Sequence, residues 1–273
     1  MRRVALAVAL VAAATVSWFT LRRRWRRLAR WEATAARHRL KAERRRVKRL
    51  MQTSWSDEAG GLRVAIDIGM ESLMSDGELS SLATQVMLSY AFVVKRCVTH
   101  NWRPLRLALT NTDAAAATLA RIRDAASAEV GDAWPVQVVG SDFATGLPAL
   151  CAPDAPQIVV LSPDADTPLT TLDPGAVYVI GGLCDYRRIA NATRDRARER
   201  GVCCRRLPLQ EALGAKLPVE ILTVDQVVQI LLHCSNTSDW VGAFEAAVPP
   251  RKLRAVGTCI DYSTSHKHFR ASR

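Results

Sequence analysis

The sequence lacks the motifs by which most nucleotide-binding and hydrolytic enzymes are recognised. It has no G-x-G-x-x-G, no Walker A P-loop, no G-x-S-x-G and no protein-kinase motif set. These absences argue against the usual dinucleotide-binding folds, P-loop hydrolases, serine α/β-hydrolases and kinases. There is also no H-E-x-x-H or C-x-x-C, and the five histidines form no evident metal set. We therefore expect no metal in this protein.

The sequence also lacks a disulfide pattern. Its seven cysteines are scattered and odd in number, and the adjacent pair Cys203-Cys204 is poorly suited to closing a bridge within itself. Reduced thiols of this kind are typical of a cytosolic, nuclear or mitochondrial-matrix protein.

Acidic residues are absent before Glu32. Residues 1–50 hold sixteen Lys and Arg against only Glu32 and Glu43, a local charge of +14, whereas the whole chain has +12. The other 223 residues hold 22 basic and 24 acidic groups and are close to neutral. A basic extension of this density favours a polyanionic partner, either a nucleic acid or an anionic membrane.

Residues 4–20 are uncharged and are followed by an arginine cluster at 22–24. Seventeen residues is the short limit for a membrane-spanning helix. One interpretation is an uncleaved transmembrane anchor that leaves the rest of the chain on the cytosolic or matrix side. The other is a mitochondrial targeting segment, because arginine is abundant and acids are missing. We predict a membrane-anchored or mitochondrial protein, with nucleus or cytoplasm as the alternative.

Four regions follow from the composition. They are an apolar segment at 1–21, a basic helix and hinge at 22–60, a folded domain at 61–252 and a mobile basic tail at 253–273.

Within the domain, strand-like and helix-like patterns alternate. Short runs rich in aliphatic and other apolar residues predict strands at 64–68, 105–109, 136–139, 157–161, 177–180 and 202–207. Helices are predicted after the capping box Ser75-x-x-Glu78, over the alanine-rich stretch 114–128, at 193–200 with Thr193 as its cap, at 224–234 and at 239–247. This order predicts an α/β fold with a mostly parallel sheet and helices on both faces.

The most informative stretch is Val177 to Asp185, VYVIGGLCD. A buried strand runs into Gly181-Gly182, which suits a close backbone approach by a ligand. Asp185 follows three residues later, at the edge of a parallel sheet where ligands bind. A single carboxylate there suits one general base and does not suit a glycosidase-like pair.

The longer segment LSPDADTPLTTLDPGAVYVIGGLCD, followed by Thr193, RARERG, LPL and LTVDQV, resembles the tRNA methyltransferase 10 family. The upstream segment IDIGMESLMSDGELSSLATQ is similar to the opening strand, loop and helix of that family, and the resemblance covers residues 62–252. These are SPOUT-class enzymes that methylate N1 of a purine at position nine of tRNA.

The resemblance implies a parallel sheet with a carboxyl-terminal trefoil knot, and S-adenosylmethionine bound in the knot. It further implies a monomeric catalytic domain that binds tRNA, with Asp185 as the proton acceptor and Gln85 near the target base. Lys95 and Arg96 stand near the place of the family's basic tRNA contacts. The cofactor contacts that it implies are Leu161, Ser162, Gly181, Gly182, Thr193, Leu207 and Thr223.

Three positions depart from the family pattern. Leu88 stands where an arginine is usual, Val93-Val94 replace an Asn-Arg pair, and Asp225 replaces an Asn. We predict a methyltransferase for N1 of guanosine 9 of tRNA. N1-adenosine methylation at the same position and a non-catalytic RNA- or membrane-bound scaffold are the alternatives.

Overall fold

The structure is a computed structural model that describes residues 2–57, 60–130, 134–184, 189–214 and 222–250. Its internal contacts divide the chain into two units, Met1–Arg46 and Val47–Arg273. The first unit is most of the long helix α1, Arg2–Met51. Its described side chains are largely exposed, among them Trp18, Trp25 and Trp31. The last turn of α1 belongs to the second unit, where Val47 and Met51 are fully buried in the core.

The structure corrects our prediction that the apolar segment at 4–20 spans a membrane. No helix in the described part of the chain is long and apolar enough to cross a membrane. The uncharged run between Arg3 and Arg22 has eighteen residues, near the short limit for a spanning helix, which usually needs about 20. The predicted transmembrane helix is therefore wrong, and so is the membrane-anchored localisation that depended on it.

The second unit is built on a parallel sheet, six-stranded in the described residues, in the order β3-β2-β1-β5-β4-β6. The strands are β1 Arg63–Asp67, β2 Arg106–Thr110, β3 Gln137–Val138, β4 Ile158–Leu161, β5 Val177–Gly181 and β6 Cys203–Arg205. The helices are α2 Asp76–His100, α3 Ala116–Val130, α4 Phe143–Cys151, α5 Ala192–Glu199, α6 Leu209–Leu213, α7 Val224–Thr237 and α8 Trp240–Ala247. Short 3-10 turns lie at Glu71–Leu73 and Thr112–Ala114.

Two hydrophobic cores cover the two faces of the sheet. Successive strand residues point to opposite faces, so Val64 and Ile66 enter the core formed with α2, α3, α7 and α8, whereas Ala65 enters the core formed with α4 and α5. The expected α/β sheet with helices on both faces is confirmed. The trefoil knot stays a prediction, because residues 215–221 lie outside the described chain, as do residues 251–273 with the whole of the predicted tail.

Local sequence signals explain most helix starts. Ser75 and Glu78 form the predicted capping box of α2, and Thr223 and Gln226 form that of α7. Thr193, however, does not cap α5. The cap residue is Asn191 in the left-handed conformation, with φ of 64°, a conformation that asparagine tolerates better than most residues. Thr193 therefore lies inside the first turn of α5, where its side chain is free to face the sheet.

Two buried arginines fasten the segment between α1 and β1. Arg63 and Arg106 are paired across β1 and β2 and are 3% and 0% exposed. Arg63 Nη1 donates to the carbonyl of Trp55 at 2.9 Å. Arg106 donates to the carbonyls of Ser54, Asp57 and Gly61 at 2.5, 2.7 and 2.8 Å. The segment predicted as a hinge is thus attached to the sheet on both sides of Glu58 and Ala59, which lie outside the described residues.

Candidate active site

A cavity of about 370 Å³ opens at the carboxyl ends of β4 and β5, within the usual size range of small-molecule sites. Its wall is mostly apolar, with a few polar groups from loops that follow the strands. Of the predicted cofactor residues, five line it: Leu161, Ser162, Gly181, Thr193 and Leu207. Leu222, Val224 and Val227 close the side formed by the start of α7.

Gly182 and Thr223 lie just outside this wall. The amide of Gly182 donates to the carbonyl of Asp67 at 2.8 Å. This bond attaches the loop that begins at Gly181-Gly182, here called the glycine loop, to the end of β1. Thr223 is exposed and caps α7 between two residues that do line the cavity. Gly181 itself packs against Thr193, and a Cβ at this position would collide with Thr193 Oγ1. The glycine is therefore needed for α5 to approach the end of β5.

Polar groups hold the loops around the cavity. Ser162 is 3% exposed, and its Oγ accepts a hydrogen bond from the amide of Asp164 at 3.2 Å. The Asp164 carboxylate in turn accepts from the amide of Asn191 at 3.0 Å, so the β4 loop anchors the start of α5. Arg206, which lines the cavity, is held by two hydrogen bonds to the Glu211 carboxylate at 2.6 and 2.9 Å. The pKa of Glu211 is lowered mainly by these bonds.

A buried charge network beside the cavity was not predicted from the sequence. Asp67, 2% exposed, accepts from Asn111 Nδ2 at 2.8 Å. It also lies 2.8 Å from Arg196 Nε on α5, with which it forms an ion pair but no hydrogen bond. Asp142 lies 3.4 Å from Arg196 Nη2 and 2.5 Å from Arg200 Nε. The network fixes α5, and with it Thr193, against the carboxyl edge of the sheet.

Asp142 stays ionised because of its partners. Burial raises its pKa, but hydrogen bonds from the Ala144 amide, Arg200 and Asn111 outweigh burial, so its pKa lies below the ordinary value. The same carboxylate caps α4 by accepting from Ala144 N at 2.9 Å. It therefore joins α4 to α5 across the loop end of the sheet.

Gln85 lies where two walls of the site meet. Its Oε1 accepts from the amide of Val224 at 2.9 Å, and its Nε2 lies 3.3 Å from both Ser81 Oγ and Cys184 Sγ. The side chain thus touches the glycine loop and the first residue of α7 together.

Lys95 and Arg96 lie about 15 Å further along α2, at about 1.5 Å per residue. Neither lines the cavity. Lys95 is exposed, whereas the Arg96 guanidinium lies over the rings of Phe92 and Trp102, at 5.6 and 5.3 Å from their centres. Arg96 is therefore held by aromatic contacts on a surface separate from the cavity.

Asp185, the predicted base, lies outside the described residues, which stop at Cys184 and resume at Ile189. Cys184 is the described residue that directly precedes Asp185. Burial raises the pKa of its thiol, hydrogen bonds with Ser81 and Gln85 lower it, and the carboxylates of Glu78 and Asp225 raise it further. The thiol is therefore protonated at neutral pH and is not a reactive thiolate.

Among the described side chains, no group of three or more His, Cys, Asp or Glu residues is arranged to hold a metal ion. His233 packs edge-on against Trp102 at 5.2 Å between ring centres. Burial is the main cause of its lowered pKa.

These features define a class of protein: an α/β domain with a cofactor-sized cavity at the carboxyl ends of parallel strands. Comparison with known proteins gives the family. A family model described as tRNA (guanine(9)-N(1))-methyltransferase TRM10/TRM10A matches residues 18–253. The chain belongs to this family. The predicted family is therefore confirmed, and so is the prediction that the protein is an enzyme.

Three relatives are 28–33% identical to the chain over the aligned residues. The tRNA (guanine(9)-N1)-methyltransferase of Kluyveromyces lactis is 28% identical over 80% of this chain and 68% of its own. That of Eremothecium gossypii is 30% identical over 80% and 69%. The tRNA methyltransferase 10 homolog B of Rattus norvegicus is 33% identical over 70% and 58%.

Solved structures agree with the fold. The crystal structure of full-length spTrm10 in complex with SAH matches 69% of this chain and 95% of its own with a TM-score of 0.58 and 25% identity. A second structure, spTrm10(74), matches 69% and 94% with the same TM-score and 26% identity. The predicted relation to SPOUT-type Trm10 folds is confirmed by these matches.

Proposed function

We propose that this protein transfers a methyl group from S-adenosylmethionine to N1 of guanosine at position nine of tRNA. The observation that carries the proposal is the cavity at the ends of β4 and β5, lined by five of the seven predicted cofactor residues. Family membership supports the reaction, and the SAH-bound relative of the same fold supports the cofactor.

The residues of the cavity fit S-adenosylmethionine. Leucine and valine side chains from four loops form an apolar slot suited to the adenine ring. Ser162, Asp164 and Gln210 supply polar groups at its edge. When bound, S-adenosylmethionine supplies a methyl group that its sulfonium already activates, so the reaction needs no metal.

The chain's own chemical task is to remove a proton. N1 of guanine carries a hydrogen at neutral pH, and its lone pair becomes available as that hydrogen leaves. We propose that the Asp185 carboxylate accepts the proton. A general base contributes about a hundred- to ten-thousand-fold in rate. Adenine has no hydrogen at N1, so it places no such demand on Asp185.

Two measurements test the proposal. Isothermal titration should show S-adenosylmethionine binding to the wild-type protein, and absent binding would leave the non-catalytic scaffold as the better account. Unmodified tRNA transcripts with G or A at position nine should then be compared as substrates. We expect methylation of the G9 transcript, and preferential methylation of the A9 transcript would replace guanosine by adenosine as the target.

A further inference from the structure

Gln85 joins parts of the site that the proposed function uses separately. Its carboxamide reaches from α2 to the first residue of α7, which walls the cofactor cavity, and to Cys184, which directly precedes Asp185. Resting on the proposed function, we infer that Gln85 is a positioning residue that holds the start of α7 against α2 and Cys184, and that it does not contact the target base through its amide nitrogen.

The bond to α7 meets a specific need of that helix. The first N–H groups of a helix have no partner within it. The capping box of Thr223 and Gln226 does not supply an acceptor for the amide of Val224, a residue only 3% exposed. Gln85 Oε1 supplies that acceptor from α2 at 2.9 Å. Without it the buried N–H would lack a partner, and Leu222 and Val224 would shift at the cavity wall.

The bond to Cys184 occupies the other end of the amide. Nε2 carries two hydrogens, and its two neighbours at 3.3 Å are Ser81 Oγ and Cys184 Sγ. Both donors are therefore engaged within the protein. A contact from Nε2 to a purine would have to break one of these bonds, whereas a positioning role keeps them.

Two substitutions separate the roles. Gln85→Met has a similar length but offers Val224 no strong acceptor. Gln85→Glu retains an oxygen at that place, and a carboxylate at the start of a helix is favourable. We expect Gln85→Met to bind S-adenosylmethionine roughly five- to tenfold more weakly by isothermal titration, and Gln85→Glu to stay within about twofold of wild type.

Asn236 provides the control, because its side-chain amide also joins two separate segments of the chain. Asn236, further along α7, accepts from the amide of Arg103 at 2.8 Å and donates to its carbonyl at 3.1 Å. It does not line the cavity. Asn236→Leu should therefore lower the unfolding midpoint and leave the S-adenosylmethionine dissociation constant unchanged. A loss of affinity in Gln85→Met that Asn236→Leu does not show cannot come from lost stability alone.

The outcomes are distinct. Weak cofactor binding by Gln85→Met with rescue by Gln85→Glu supports the inference. Unchanged cofactor binding in both variants, with a raised KM for tRNA, overturns it in favour of direct contact with the base. Equal losses in Gln85→Met and Asn236→Leu overturn it as well, because they would indicate general destabilisation. If wild type itself binds no S-adenosylmethionine, the proposed function fails before Gln85 is tested.

Discussion

The amide of Gly182 donates to the carbonyl of Asp67 at 2.8 Å, so the glycine loop is attached to the end of the neighbouring strand. A Cβ on Gly182 would stand 2.7 Å from that same carbonyl oxygen and 3.3 Å from Leu82 Cδ2. The backbone oxygen cannot rotate away as a side chain could. The sequence suggested that this glycine makes room for a ligand, whereas the structure shows it making room for β1.

We therefore expect Gly182→Ala to destabilise the fold, by about 1–3 kcal/mol for an overpacked site. Urea unfolding measures this. Gly77→Ala is the matched control, because a Cβ there meets nothing within 4 Å and lies in the first turn of α2. Equal stabilities for the two variants would show that the β1 backbone can shift at Asp67 at little cost in free energy.

For Gly181 we expect a different result, because the atoms closest to an added Cβ belong to a side chain and not to the backbone. Gly181→Ala should weaken S-adenosylmethionine binding by pushing Thr193 and α5 away from β5. Adding Thr193→Ala removes the Oγ1 and Cγ2 atoms in conflict, so the double variant should bind better than Gly181→Ala alone. A double-mutant cycle by isothermal titration measures the coupling. Additive losses would mean that the two residues act independently.

Asp142 predicts a pH dependence of stability. Its pKa is lowered in the folded protein, so its contribution is present above the unfolded value of about 3.9 and is lost as pH falls through the folded pKa. Asp142→Asn should cost roughly 1–3 kcal/mol at pH 7. The difference from wild type should shrink below about pH 4. Denaturant titrations at pH 7 and pH 3 test this, and a constant difference would contradict it.

The hydrogen bonds of the buried arginines Arg63 and Arg106 indicate where the chain can be shortened. A chain that begins at Arg44 keeps the carbonyl groups of Ser54, Trp55 and Asp57 that Arg63 and Arg106 bind. A chain that begins at Gly61 loses them and leaves two buried charges short of partners, which costs about 3–5 kcal/mol for one unpaired buried charge. Thermal unfolding should find the first variant near wild type and the second much less stable or unfolded.

The shorter stable chain also tests the basic extension. Starting at Arg44 removes eleven of the sixteen basic residues in the first fifty. If α1 binds tRNA phosphates, log affinity should fall less steeply with log salt in this variant than in the full chain, because fewer counterions are released. Equal slopes at low and moderate salt would leave tRNA binding to residues 44–273.

Asp185 predicts a dependence on the target base. Asp185→Asn should bind S-adenosylmethionine normally but methylate a G9 transcript about a hundred- to ten-thousand-fold more slowly. Any activity on an A9 transcript should change little, because N1 of adenine carries no proton. Single-turnover rates measure the chemical step. An unchanged rate on the G9 transcript would remove Asp185 as the base.

Most of the sheet was predictable, because its strands are short and mostly apolar runs, and their boundaries moved by only one or two residues. The helix α4 was not among the predicted helices, and it contains Gly146 and Pro148, residues that normally interrupt helices. It forms nevertheless, because Asp142 caps it and Phe143 and Leu147 are buried beneath the sheet. Tertiary packing outweighed local propensity there.

The candidate site was predictable where it consists of strand ends, and unpredictable where it depends on long-range pairing. Leu161, Gly181 and Leu207 follow strands, so the sequence places them at one edge. The contacts of Arg196 with Asp67 and Asp142 join α5 to the end of β1 and the start of α4, and nothing in the local pattern marks them. Arg196 and Arg200 are indistinguishable by sequence from the exposed basic residues around them.

The position of β1 in the sheet bears on how the chain is synthesised. Its partner β5 lies 114 residues later, with Val177 paired to Arg63. At about 5–20 residues per second, a ribosome needs roughly ten seconds to make that stretch. During this time one edge of β1 has no neighbour, and exposed edges invite pairing with other chains. The strand ends that line the cavity also lie in the second half of the chain, so the nascent amino-terminal half is a natural client for chaperones.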